Sequence, residues 1–419
     1  MLRSNPAPAI RTMSRAQAQD VLDLDQWAFG YDINEFPDAI ELIDTFDEDR
    51  VFGAHLTDPE RLAGVYAAYS LDVAVPGAQV PVAGLTWVAV HPRDRRRGVL
   101  RAMMEHHLED VRTRRGEPFS LLHAAEPAIY GRFGYGMASQ GQVLTLARGT
   151  ELREVPGADD LVVDLQHAAV DQHAELLGAI YATARLERPG WVSRSTPAQR
   201  RVLLSDPPEA HRGAENLRLL TVRKGGGELR GYALFRRKME WKDGSPGGSV
   251  EVREVVALDA AAARALWGRL TDLDLTSTVE TPSLAVDDPL VHMLVDLRAA
   301  KPRLHDALWL RVVDLPATVT ARRYTAELDV VLEVTDELCP DNAGRWHLQG
   351  GPDGAACTRT DRTAQLGLDV RELGSIYLGG SSLASLAASG LVAVRDAAGL
   401  HRTAAAFSWP VAPHCPWTF

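Results

Sequence analysis

Apolar positions recur along this chain with two periods, and the switches between them mark its elements. Alternating or continuous apolar runs at 50–56, 62–75, 80–90, 119–125 and 142–147 predict strands. Helical periodicity marks 14–28, 37–42 and 99–115. In the last of these Leu100, Met103, Met104, His107, Leu108 and Val111 recur at i, i+3 and i+4 spacing and make one buried face. The order strand 80–90, helix 99–115, strand 119–125 predicts a crossover between parallel neighbours.

The next stretch repeats this order more weakly. A helix is expected at 171–185, strands at 217–223, 229–238 and 249–257, and a helix at 260–273. The last stretch has an α+β pattern: strands at 307–313, 326–334, 345–349 and 364–369, helices at 370–376 and 382–389. Glycine-rich 244–248 and 350–354 predict hairpin loops. The expected division is 1–150, 151–300 and 301–419, the first two α/β and the third α+β.

Composition narrows the function classes. A chain of 419 residues with 46% hydrophobic residues can build two or three cores. A formal charge of −11 disfavours general nucleic-acid binding. Only four lysines occur against many arginines, a bias that reads as genome composition. Three widely spaced cysteines, Cys339, Cys357 and Cys415, predict neither a disulfide framework nor a zinc site, and no metal is expected. There is no apolar run of transmembrane length and no signal pattern in residues 1–20, so a cytoplasmic protein without membrane contact is expected.

Residues 88–101 carry the densest chemistry. The apolar run through Val88, Ala89 and Val90 stops at a proline turn. Arg95, Arg96, Arg97 and Gly98 follow, and a helix opens with Val99, Leu100 and Arg101. Strand, cationic turn and helix N-terminus in this order make an anion cradle, because the first helical amides lack intrahelical acceptors. Neither G-x-G-x-x-G nor G-K-[ST] occurs. The alternative is a solvated arginine turn.

A second motif, Glu126-Pro127-Ala128-Ile129-Tyr130-Gly131-Arg132-Phe133-Gly134-Tyr135-Gly136, follows the strand at 119–125. Pro127 suits the first turn of a short helix. The Tyr130 phenol would face the parting of two parallel strands and could protonate a departing thiolate, since its ordinary pKa of about 10 keeps it a donor. Tyr130 and Tyr135 could instead be packing aromatics, the reading preferred for Tyr135. The chain ends in an aromatic, proline-stiffened segment, Phe407 to Phe419, which should dock and fix the terminal carboxylate, or simply pack. Residues 20–50 hold eleven carboxylates against the single basic Arg50, read as a solvated helix face or as an attractor of polycations. Trp27 and Trp87 are candidate pocket-lining aromatics. His106, His107 and Cys415 are read as structural.

Arg95-Arg96-Arg97-Gly98-Val99-Leu100 approximates the R-x-x-G-x-[GA] loop of the GNAT acetyltransferases, with Leu100 in the last position. Together with Ile129-Tyr130-Gly131-Arg132-Phe133-Gly134-Tyr135-Gly136 it resembles the enhanced intracellular survival (Eis) family over the whole chain. That resemblance implies two tandem GNAT domains, the second degenerate, and a sterol-carrier-protein-like C-terminal domain. It implies acetyl-CoA held by Val88–Val90, by Arg95–Arg101 and by Ala125 and Glu126. Tyr130 would be the general acid and the Phe419 carboxylate the general base. An α-carboxyl has a reference pKa near 3.5, so a water relay or an electrostatic role for Phe419 stays open. The resemblance also implies homohexamers, dimers of trimers, that acetylate small amines including aminoglycosides. Thr418 stands where an acidic penultimate residue would help bind amines. The rival readings are acetylation of protein lysines, or a non-catalytic lipid- or small-molecule-binding protein using the carrier-like domain.

Overall fold

The computed structural model describes residues 7–31, 42–57 and 60–419. The helix expected at 37–42 falls almost wholly outside them, as do Asp32, Glu35, Asp38 and Glu41 of the acidic run. The chain forms two units: Met1–Ser139 with Asp306–Pro413 and Thr418–Phe419, and Gln140–His305 with His414–Trp417.

The first unit contains a sheet of β1 (Ala9–Thr12), β2 (Val51–Thr57), β3 (Glu60–Val75), β4 (Ala78–Val90), β5 (Phe119–His123), β6 (Gly136–Met137) and β7 (Leu308–Val312), in the order β1-β2-β3-β4-β5-β7-β6. Strands β1 to β4 are antiparallel neighbours, and Pro76-Gly77 close the β3–β4 hairpin with Gly77 at φ +70°. β4 and β5 are parallel, joined by helix α2 (Val99–Asp110). The expected helix 99–115 ends as an α-helix at Asp110, and a π turn, Val111–Arg115, carries the chain to Gly116 at φ +68°.

Both faces of this sheet are covered, which is why β3 reads as a nearly unbroken apolar run. One face packs Tyr66, Leu85 and Leu122 with Val99, Met103 and Met104 of α2. The other receives α1 (Ala18–Phe29), whose Ala18 and Leu22 cluster with Ile43 and Trp87. At the sheet's end a buried Arg50 donates two bonds to Glu117, at 2.6 and 2.8 Å.

The strand expected at 307–313 forms, and its partners are β5 and β6 of the first sheet. Beyond it, Leu315–Thr320 and a second sheet complete the unit. That sheet runs Gly354–Arg359, Gly344–Gly351, Leu328–Thr335, Leu366–Asp369, Val392–Val394, with helices Val370–Tyr377, Leu383–Ala388 and Ala397–Phe407.

The second unit repeats the theme of the first. Its main sheet runs Thr145–Ala147, Thr276–Glu280, Gly248–Ala257, Leu229–Lys238, Arg218–Arg223, Val162–His167. Alternation along Arg218–Arg223 sends Leu220 and Val222 to the core under helix Ala260–Thr271, and Leu219 to the core under helix Val170–Ala184. The single strand expected at 142–147 is two: Gln140–Val143 lies in a small separate sheet, and Thr145–Ala147 pairs with Thr276–Glu280. A break at Leu144, whose amide and carbonyl both bond Thr281, divides them.

Candidate active site

β4 and β5 pair only at Ala83–Ser120 and Gly84–Leu121. Beyond that point the two strands have no mutual register, and a gap opens. The cause is local. Val65 pairs with Ala89 and Ala67 with Thr86, so Trp87 and Val88 together face the single residue Tyr66. This is a β-bulge, and Trp87 sits in it at φ +51°. A bulge adds twist and turns the strand away from its neighbour. A non-glycine residue at positive φ is strained backbone, which surrounding packing must hold in place. Val88, Ala89 and Val90 therefore leave the bulge with the strand edge toward β5 unpaired.

The turn after β4 is organised by a residue that the sequence reading passed over. Asp94 is fully buried and accepts bonds from Arg61, from Arg93 Nε (3.2 Å) and from Arg97 Nη1 (3.1 Å). The Arg61 guanidinium above all holds its carboxyl below the ordinary range. Arg97 thus gives one nitrogen to Asp94. Arg101 bonds Glu105 at 2.8 Å. Arg95 and Arg96 are exposed and have no carboxylate partner among the described residues. Gly98 is the N-cap of α2 at φ +80°, with nothing within 4 Å of a notional Cβ. Glycine is needed there for its backbone angle, and the space it leaves is open. No side chain caps α2, its first turn is free of acidic residues, and the first bond into the cap runs from the Ala102 amide to the Gly98 carbonyl at 3.0 Å. Val99 is buried and Leu100 half-buried, so these two offer backbone amides.

After β5, Ala125 and Glu126 are exposed and α3 (Pro127–Tyr130) begins with proline at N1. Tyr130 is buried and shares the core cluster of Leu85 and Leu122. Burial, then the charge of Glu126, push its phenol up to about 12. Its ring meets Tyr135 edge to face at 5.9 Å. Tyr135 is fully buried in a relay: its hydroxyl lies 2.9 Å from Ser120 Oγ, which lies 2.9 Å from His107 Nε2. Burial drives the His107 imidazole down to about 3, so it is neutral. The glycines of the motif have steric causes. A Cβ on Gly134 (φ +79°) would lie 2.8 Å from Arg311 Nε, and one on Gly136 would collide with the Arg371 carbonyl oxygen. Arg311 is itself buried against Asp336, at 2.6 and 2.8 Å.

The Phe419 ring packs 5.1 Å from His123 and 6.4 Å from Tyr69, and a Cβ on Gly84 would sit 3.1 Å from it. Gly84 and Leu85 are adjacent, as are Leu122 and His123, and adjacent strand residues point to opposite faces. The core cluster that holds Tyr130 and the packing of Phe419 therefore lie on opposite faces of the sheet. On the Phe419 face, Phe46 stacks on Tyr69 at 4.2 Å and meets Trp87 at 5.0 Å. Trp87 is half-buried; Trp27 is 64% exposed, 5.5 Å from the His91 ring.

Of the acidic run, Asp44 pairs with Arg15 (2.6 Å) and Asp49 with Arg115 (2.7 Å). Asp25 differs. It is buried on α1 three residues beyond Leu22, its Oδ2 accepts from Tyr31 at 2.8 Å, and its Oδ1 is buried without a partner among the described residues. Burial raises its pKa.

In the second unit the equivalent helix N-terminus is closed. Asp259 caps helix Ala260–Thr271, accepting from the Ala262 amide at 2.8 Å, and Arg230 bonds the same carboxylate at 2.7 Å. An internal carboxylate stands where an anion would bind. The carrier-like sheet bears an open groove of about 910 Å³ lined by Asp329, Asp353, Arg362 and Arg402 among others. Charged walls do not suit an acyl chain. Among the described residues no helix is long and apolar enough to cross a membrane, and no cluster of three His, Cys, Asp or Glu side chains is placed to hold a metal.

Comparison with known proteins agrees with this layout. Residues 9–138 match an acetyltransferase (GNAT) domain family, 190–312 match another, and 315–416 match a sterol carrier protein domain family. An uncharacterised N-acetyltransferase of Streptomyces avermitilis is 40% identical over 95% of this chain and 98% of its own length. N-acetyltransferase Eis of Mycobacterium bovis is 35% identical over 83% of each. The crystal structure of Eis1 from Mycobacterium abscessus superposes with a TM-score of 0.81 at 31% identity, covering 98% of this chain and 100% of that one. Bulged β4, open Gly98 turn, buried Tyr130 and these relatives lead to one conclusion: the chain belongs to the Eis-like family of multi-domain GNAT N-acetyltransferases.

Proposed function

We propose that this acetyltransferase moves the acetyl group of acetyl-CoA to primary amines of small polycationic molecules, aminoglycosides among them. The diphosphate would rest on the amides of Gly98 to Arg101, flanked by Arg95 and Arg96. Val88–Val90 would pair with the pantetheine arm as an added strand, and Ala125 and Glu126 would border it. The thioester then enters the β4–β5 gap. The observation that carries this reading is that gap, opened by the Trp87–Val88 bulge between an uncapped helix and Tyr130.

The chemistry balances as direct transfer. The acceptor ammonium loses a proton to the Phe419 carboxylate, directly or through water. The amine attacks the thioester carbonyl, a C–N bond forms, and the C–S bond breaks. Tyr130 gives its proton to the thiolate. The ammonium of the collapsing intermediate supplies the proton that restores Tyr130. A phenol near 12 is a weak acid toward a thiolate, so its main contribution is a hydrogen bond to the developing charge. Holding both reactants in the gap supplies much of the remaining acceleration.

Asp25 would receive the acceptor's ammonium. It lies on α1 three residues beyond Leu22, which clusters with Trp87, and Trp87 and Trp27 would form the pocket walls. Thr418 stands at the penultimate position in place of an acid, so Asp25 would take up part of the charge recognition. Assembly as a homohexamer, a dimer of trimers, belongs to the same reading and rests on the family resemblance.

The test is a panel of amines with free-thiol detection. Aminoglycosides and polyamines should release CoA from acetyl-CoA faster than a lysine peptide at equal concentration. Faster release with the peptide moves the assignment to protein lysines. Absence of both release and acetyl-CoA binding rejects the reading.

A further inference from the structure

The turn between β4 and α2 holds a conformation that one of its residues would not adopt alone. Arg96 stands at φ +63° and Gly98 at φ +80°, while Arg95 lies at φ −58° and helix α2 opens at Val99. Arg97, between the two left-handed residues, keeps a negative φ. The sign of φ therefore alternates from Arg95 to Val99. Alternation of right- and left-handed residues turns successive amides toward one point and makes a concavity for an anion. Glycine takes the left-handed angle freely. Arginine does not, so its surroundings must hold Arg96 there.

Asp94 supplies the hold. Arg61 of β3 grips both of its oxygens, Nε on Oδ2 at 3.2 Å and Nη2 on Oδ1. Each oxygen takes one further bond from the turn, Oδ2 from Arg93 Nε at 3.2 Å and Oδ1 from Arg97 Nη1 at 3.1 Å. The carboxylate thus ties together the residues on either side of Arg95 and Arg96, and ties both to β3. The Asp94 amide also closes onto the His91 carbonyl at 2.9 Å, and the Arg93 amide onto His91 Nδ1 at 3.2 Å. Asp94 is fully buried, so these charge-assisted bonds act away from water, and losing the acceptor's charge weakens all of them together.

We infer that Asp94 is a positioning residue for cofactor binding: its carboxylate pins Arg93 and Arg97, the pin keeps Arg96 left-handed, and left-handed Arg96 aims the amides of the turn at the diphosphate. The inference rests on the cradle of the proposed function and adds a buried anion that acts only through its neighbours. It also separates the cradle arginines by role. Arg97 is engaged by Asp94, and Arg96 counts for its backbone angle as well as for its charge.

The experiment is a double-mutant cycle on the full-length chain, with the dissociation constant for acetyl-CoA measured by calorimetry and kcat at saturating acetyl-CoA. Glycine at position 96 adopts the left-handed angle without strain, so Arg96→Gly should make the pin dispensable. Asp94→Asn alone should raise the dissociation constant about 10-fold with kcat within about two-fold of the parent; added to Arg96→Gly it should raise it less than about three-fold. Arg61→Gln, on β3 and outside the cradle, should show the same dependence on position 96, and it carries the test should Asp94→Asn not fold by circular dichroism. Parental affinity in a folded Asp94→Asn overturns the inference. An equal loss in both backgrounds overturns it too, since that is an effect of charge indifferent to the backbone angle. Arg95→Glu with Arg96→Glu tells this failure from failure of the cradle itself. Weakened binding there beside parental binding in Asp94→Asn rejects Asp94 and leaves the cradle standing; parental binding in both rejects the cradle and the inference with it.

Discussion

Asp25 and Asp94 are both buried carboxylates, and their surroundings set opposite roles. Asp94 is ringed by Arg61, Arg93 and Arg97 and stays ionised as the internal anion that shapes the turn. Among the described residues Asp25 has one neutral donor and an unpartnered oxygen, so burial disfavours its charge. Its raised pKa means that the fold favours the protonated form, and the destabilisation grows as pH rises through the carboxylate range. Asp25→Asn should therefore raise the melting temperature at pH 7, with the gain vanishing toward pH 3, and raise KM for a polyamine about 10-fold. A melting temperature unchanged at both pH values, with unchanged KM, removes Asp25 from the acceptor site. The sequence showed Gly98 and Tyr130 because each sits in a local motif. It hid Asp94, whose key partner Arg61 is 33 residues away, and it hid Asp25 among ten other carboxylates.

The turn that ends α3 is held from two sides, by the Tyr135–Ser120–His107 relay and by Arg311 beneath Gly134. Gly134→Ala adds a Cβ at φ +79° against a buried guanidinium. The left-handed angle alone costs about 1–2 kcal/mol, and the turn bearing Tyr130 must shift. Lower kcat with acetyl-CoA affinity retained is the expected result of steady-state and binding measurements; wild-type kcat would detach the turn from the chemistry. His107 gives a pH signature. Its neutral form is favoured in the fold, while the unfolded chain binds a proton near pH 6.5, so its contribution is whole above 6.5 and is lost as pH falls toward about 3. One proton corresponds to about 1.4 kcal/mol per pH unit, so His107→Gln should flatten the fall of unfolding free energy between pH 6 and 4 by that slope. An unaltered slope places the proton elsewhere. Strand periodicity found β2 to β5 and β7 but could not place β7 between β5 and β6, because that pairing joins residues more than 170 apart. Helix Ala397–Phe407 escaped because five of its eleven residues are alanine and one is glycine, too small to mark a face.

Each of the two units has a sheet in which an antiparallel run ends in a parallel strand pair joined through a helix, and the two differ in what occupies that helix N-terminus and the strand gap. The first presents a helix N-terminus with no side-chain cap at Gly98 and a gap beyond Gly84 and Leu121. The second closes its amides with Asp259 and its gap with His414 and Pro416. Calorimetric titration should accordingly find one acetyl-CoA per chain; two would contradict the closed second site. The tandem order was legible from repeated strand–helix patterns. The filling of the second gap was not, since it depends on where the last residues of the chain travel. The central claim is that the thioester lies beside the Tyr130 phenol, and Tyr130→Phe tests it most directly, with kcat and the dissociation constant for acetyl-CoA measured on the same preparation. The account predicts kcat lower by about 10²–10⁴-fold with the dissociation constant within two-fold of the parent. Turnover at the parental rate would contradict it.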